Sequence, residues 1–200
     1  GGYYEGDRVR LCDSSGKLLR QFGLDECDGG PHEFRYLPRA EVASALASKL
    51  PPGTIRYGKR VAGVEKQRFG NLLVSLEGGE EIITSVVIGA DGIRSAVRGA
   101  MEASKEGFKQ EKAVRTYYSG YKAFRGLLRA DEDTLRRLAC LEEGAINQYW
   151  GSGVRMGTFL MSPSLAYWFV TFNDGSPTIG EEYAHPEARK QLALEKVDAW

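Results

Sequence analysis

The chain has 200 residues, and its 27 Lys+Arg balance 27 Asp+Glu, so a formal net charge of +0 offers no basic field to draw in nucleic acid or an acidic membrane. A composition of 42% hydrophobic and 27% charged residues excludes disorder and supplies enough apolar side chain for a core. The longest apolar runs, such as 86–90, are far short of a bilayer span, no signal peptide opens the chain, and Cys12, Cys27 and Cys140 lack the spacing of a zinc site or a disulfide framework.

Taken in chain order, 8–13 and 17–22 flank Ser14-Ser15-Gly16 and read as a hairpin whose partners lie elsewhere in the fold. Gly29-Gly30-Pro31 breaks the chain, and a helix follows over 39–50, where Val42, Leu46 and Leu50 repeat at i, i+4, i+8 as a core stripe and Pro51-Pro52-Gly53 forces the stop. Next, 54–57, 60–67, 72–77 and 82–85 read as a β-meander with turns at Gly70-Asn71 and Gly78-Gly79. Val86, Val87 and Ile88 are consecutive β-branched residues, the pattern of a strand covered on both faces in a parallel α/β sheet. Asp91 would then stand at that strand's carboxyl end, where open α/β sheets place ligands, with Gly92 leaving the backbone approachable. Asp-Gly is also a common turn, and Asp a favoured helix cap, so Asp91 has a structural reading beside the ligand reading.

Beyond Met101 the chain turns to aromatic-rich alternation at 114–128, 145–150, 157–162 and 166–173, with one helix over 132–140, which predicts an antiparallel sheet. The glycines of Gly151-Ser152-Gly153-Val154-Arg155-Met156-Gly157 lead into a strand rather than a helix, so they read as a hairpin turn and not a phosphate cradle. A final helix over 187–200 sets Ala193, Val197 and Trp200 on one face. Alternation allows about half of the rings among Tyr117, Tyr118, Tyr121, Phe124, Tyr149, Trp150, Phe159, Tyr167, Trp168, Phe169 and Phe172 to share a face, as core or as pocket wall. Arg125 stands within that strand pattern. An inward cation there would need an anionic partner or substrate group, whereas an outward one would be solvated. His32 and His185 are isolated.

Gly89-Ala90-Asp91-Gly92-Ile93-Arg94-Ser95-Ala96-Val97-Arg98 resembles the G-A-D-G-x-x-S-x-V-R motif of the FAD-dependent monooxygenases of the aromatic-hydroxylase type. Arg39-Ala40-Glu41-Val42-Ala43-Ser44-Ala45-Leu46 is similar to the family's R-x-x-L-x-x-x-L helix, with Val42 in place of Leu. Segments such as Tyr118-Ser119-Gly120-Tyr121-Lys122-Ala123-Phe124-Arg125-Gly126 and Tyr149-Trp150-Gly151 are similar to the substrate sheet of plant-type members related to zeaxanthin epoxidase. The resemblance implies an α/β (α+β) fold, with a partial Rossmann-like FAD-binding part and meander over 31–105. It also implies an antiparallel substrate part over 106–200, joined by the 1–30 hairpin.

FAD is the implied cofactor, with Arg39, Asp91 and Gly92 as its binding residues and NADH or NADPH as reductant. The implied reaction inserts one oxygen atom of O2 into a small apolar or aromatic molecule. No residue is assigned as catalytic and no metal is expected. A flavoprotein halogenase or reductase of the same fold, or a binding module that has lost the cofactor, stand as alternatives. No G-x-G-x-x-G precedes Arg39 and no G-D-A-x-H-x-x-x-P follows it. Gly1 is not an initiator Met, and the last helical pattern stops without a cap, so the expectation is an internal stretch of a larger intracellular enzyme, cytoplasmic or organellar.

Arg39 also carries an argument of its own. A cation in a helix's first turn opposes the macrodipole by roughly 0.3–1 kcal/mol, and a bound phosphate nearby would reverse that sign.

Overall fold

A computed structural model of the protein describes residues 2–26, 28, 34–103, 116–178, 180, 183–198 and 200. Cys27, His32, Gly29-Gly30-Pro31 and the start of the strand expected over 114–128 lie outside the described residues. In chain order the elements are β1 (Arg8–Asp13), β2 (Leu18–Gly23), α1 (Arg39–Ala47), β3 (Val61–Lys66), β4 (Leu72–Leu76), β5 (Glu81–Thr84), α2 (Ala96–Ala103), β6 (Tyr121–Arg129), α3 (Glu132–Arg136), β7 (Ala145–Gly151), β8 (Val154–Ser162), β9 (Leu165–Asn173) and α4 (Pro186–Val197). They form two compact units, Gly1–Ser44 with Tyr118–Trp200, and Ala45–Tyr117.

The larger unit is built on a sheet in the order β2-β1-β7-β8-β9-β6. Its hairpins are antiparallel, and Ser152-Gly153 turns β7 into β8 as a hairpin, with Gly153 at φ 69°. The sheet is nevertheless mixed, because β1 runs parallel to β7, Arg8 opposite Ala145 through Asp13 opposite Trp150. That pair joins segments more than a hundred residues apart, and the alternation inside each strand is silent about it.

On one face of this sheet, Phe124, Val170 and Phe172 pack with Ala193 of α4, and Leu192 and Val197 close the cluster. Helix α3 begins where the Asp131 carboxylate accepts the Thr134 N–H at 2.8 Å, and it delivers Leu135, fully buried, against Leu160 and Ala166. Buried Asn147 is satisfied, since its amide donates to the Cys140 carbonyl at 3.1 Å. On the opposite face Tyr36 stacks on Phe159 with ring centroids 4.5 Å apart, and Tyr3 and Tyr4 pack beside them. Burial pushes the Tyr36 hydroxyl up to about 12.

The smaller unit carries the antiparallel meander β3-β4-β5, whose Val74 and Leu76 are its buried residues, and α2, which supplies buried Val97. Three expectations fail here. The 54–57 segment forms turns rather than a strand. Residues 86–90 form no strand, and Val86 and Ile88 are 69% and 87% exposed, because no described strand pairs with them and a β-branched run needs such neighbours to be covered. The stripe Val42, Leu46 and Leu50 is 40%, 67% and 47% exposed, so helical periodicity marks an apolar face without supplying what would cover it.

Candidate functional site

The segment from Gly89 to Arg98 is a closed hydrogen-bonded unit. Asp91 Oδ1 accepts the Ser95 hydroxyl at 2.5 Å, and Oδ2 accepts the backbone N–H groups of Ala96 at 2.7 Å and Val97 at 3.3 Å. Ser95 Oγ in turn accepts the Arg98 N–H at 2.9 Å, and the Arg98 guanidinium donates to the Ile93 carbonyl. These are the orphan donors of the first turn of α2, so Asp91 and Ser95 cap that helix in tandem.

The two glycines have separate reasons. Gly92 sits at φ 79°, a left-handed conformation that side chains resist, with open space where a Cβ would stand. A Cβ on Gly89 would come within 2.8 Å of the Val97 Cβ, so the small residue lets the chain lie against α2.

The Asp91 carboxyl is held below the usual carboxylate range, first by the Ser95 hydroxyl and then by backbone N–H groups. A depressed folded-state pKa contributes stability above the unfolded value near ~3.9 and loses it as pH falls through the folded value. We therefore expect the Ala96 and Val97 amide resonances to titrate together with a midpoint below that of a free Asp, and to stop titrating in Asp91→Asn. A midpoint at the free-Asp value would mean that the cap does not form.

Arg39 is the first residue of α1, exposed, and no carboxylate pairs with it among the described residues. Glu41, in the same first turn, accepts the Tyr3 hydroxyl. Arg39 lies in the larger unit, and Asp91 and Gly92 in the smaller one. Ser95 and Arg98 belong to the motif, and the fold gives each a task in the cap. A serine four residues after an Asp and immediately before a helix is a capping signal that was open to view. Cys12 is buried and Cys140 partly so, both as free thiols, and no metal-binding cluster occurs among the described residues. Nor is any described helix long and apolar enough to cross a membrane.

No family model matches the chain. It is 32% identical to the aurachin C monooxygenase/isomerase of Stigmatella aurantiaca over 81% of its own length and 37% of that protein's. It is 33% identical to the FAD-dependent monooxygenase sor5 of Hypocrea jecorina over 48% of its length and 20% of that protein's. Its fold matches Klebsiella pneumoniae HpxO, solved with FAD and uric acid, with a TM-score of 0.65 at 20% identity over 96% of this chain and 49% of that one. The chain is a relative of the FAD-dependent monooxygenases of the aromatic-hydroxylase type. It spans about a third of the first of these monooxygenase relatives and half of the matched structure. The mixed six-stranded sheet and the separate three-stranded antiparallel sheet agree with the α/β (α+β) fold expected from the motifs.

Proposed function

We propose that this chain is the part of an FAD-dependent monooxygenase that holds the adenosine and diphosphate portion of the cofactor and one wall of the substrate chamber. Residues 31–105 are assigned to the FAD-binding part, and 1–30 with 106–200 to the substrate part. The observation that carries the reading is the preformed turn at Asp91 and Gly92. A carboxylate oriented by Ser95 and two backbone amides keeps a lone-pair site on Oδ1 free for one further donor, and Gly92 leaves the backbone beside it bare. Sugar hydroxyls are donors of the kind such a carboxylate can accept. A phosphate is not, because it would meet a like charge. Arg39, in a helix's first turn and without a carboxylate partner among the described residues, suits a diphosphate instead.

When bound and reduced by NADH or NADPH, FAD would supply the activation of O2 and the transfer of one oxygen atom. The chain's own task is then to bind, to orient and to exclude water. Purifying the protein at its natural full length with excess FAD tests this. A yellow protein with about one flavin per chain, oxidising NADH or NADPH faster when an aromatic substrate is added and releasing an oxygenated product, is the expected result. A colourless protein, or a halogenated or merely reduced product, would defeat the reading.

A further inference from the structure

A cavity of about 420 Å3 lies between β6, the edge strand of the six-stranded sheet, and the first turns of α4. Arg125, Trp168, Pro186, Arg189 and Lys190 border it. Gly126 makes the room. It stands opposite Trp168 in the register, and a Cβ there would come within 2.8 Å of the indole, so the ring lies over the strand where a side chain would otherwise stand.

The polar side chains around this cavity are donors. Arg125 and Arg189 pair with no carboxylate among the described residues, and the Trp168 Nε1–H has no acceptor among them. Lys190 meets Glu187 at 3.1 Å, a contact between two largely exposed side chains that water already weakens. His185, at the N-cap of α4, gives no side-chain hydrogen bond to the first turn, so the orphan N–H groups there stay open. Other cations that meet the packed face of the sheet are matched. Lys122 holds Asp174 at 2.9 Å, and the Lys196 ammonium lies 5.0 Å from the centroid of the Phe172 ring.

Donors without acceptors complement a ligand end that is all acceptors, and a phosphate is such an end. The indole and the Pro186 ring beside those donors offer apolar surface to a flat group carried by the same molecule. We propose that this cavity binds a nucleotide through a phosphate monoester, with the phosphate on Arg125, Arg189 and Lys190 and the base against Trp168 and Pro186. Two molecules carry that chemistry, a free mononucleotide and NADPH through its 2′-phosphate. The proposal goes beyond the monooxygenase reading and does not depend on it.

The test needs no flavin. Titrate the 200-residue chain with AMP, adenosine and inorganic phosphate, and follow the Trp168 indole N–H resonance, assigned by its loss in Trp168→Phe, beside equilibrium dialysis. AMP should shift that resonance and bind about tenfold tighter than adenosine or phosphate alone, because it combines charge-assisted bonds with the apolar contact. Arg125→Gln and Arg189→Gln should each weaken AMP about tenfold without changing adenosine binding. Glu187→Gln should tighten AMP by roughly two- to threefold, since it releases Lys190 and removes an anion from the first turn of α4. Arg39→Gln, in the part assigned to FAD, should change neither the affinity nor the shift. NADPH that displaces AMP where NADH does not identifies the reductant as the source, and failure of both to displace it identifies a free mononucleotide. Equal binding of AMP and adenosine, an unmoved Trp168 resonance, unchanged affinity in both Arg→Gln variants, loss in Arg39→Gln alone, or equal displacement by NADH and NADPH would each overturn the proposal. Flavin content of the full-length protein is a separate readout, so this inference and the cofactor reading fail separately.

Discussion

Phe172→Ala should cost the larger unit about 3–5 kcal/mol, the range for deleting a buried aromatic ring without full collapse around the void. Phe172 is 1% exposed, lies 5.5 Å from Phe124 between ring centroids, and is covered by Lys196 of α4, whose ammonium is 5.0 Å from the ring. Its loss removes contacts to β6, β8 and α4 at once, since Phe124, Val154, Met156, Ala193 and Val197 all belong to the same cluster. For a chain of this length each kcal/mol is worth roughly 2–4 °C, so the melting temperature should fall by roughly 6–20 °C. Urea unfolding of the wild type, Phe172→Leu and Phe172→Ala measures it. Phe172→Leu should fall between the other two. A loss under about 1 kcal/mol in Phe172→Ala would mean that α4 is not docked on the sheet.

The helix α4 and the strands it covers were legible because their patterns are local. Ala193 and Val197 recur at helical spacing, and 166–173 alternates between packed and open sides, so both elements and their faces follow from the residues themselves. Asp91 was legible as a cap and as a motif residue, and in the folded chain its cap role is complete down to the individual N–H groups.

What failed is what depends on a partner. Val86 to Ile88 have the composition of a doubly covered strand, and Val42 to Leu50 that of a core stripe, but burial is a property of two surfaces and a sequence pattern describes one. The parallel pairing of β1 with β7 escaped for the same reason. The contact of Arg155 escaped because its neighbours looked like turn and strand residues, and only the register that sets it diagonally across from Phe169 gives it a ring.

Arg39→Glu separates local stability from cofactor binding because the two effects have opposite signs. In the flavin-free chain the change replaces a cation with an anion in the first turn of α1, where the exposed N–H groups favour negative charge, so the protein should gain roughly 0.3–1 kcal/mol at low salt. Glu41 already occupies that turn, but residues two apart on a helix point to different sides, so repulsion between the two carboxylates does not cancel the gain. If Arg39 holds the FAD diphosphate as proposed, the same change in the full-length protein sets a carboxylate against it in place of guanidinium donors. Hydrogen bonds to charged groups are worth about 1.5–3 kcal/mol, and the added repulsion should bring the loss of FAD affinity to roughly a hundredfold or more. Arg39→Gln should lose less, since it removes the donors without adding an anion. The measurements are urea unfolding of the flavin-free chain, repeated at high salt where the gain should shrink, and FAD titration of the full-length variants. A hundredfold loss in Arg39→Glu with no loss of stability assigns Arg39 to the cofactor, whereas unchanged FAD affinity leaves it a solvated residue whose only effect is on the helix that it begins.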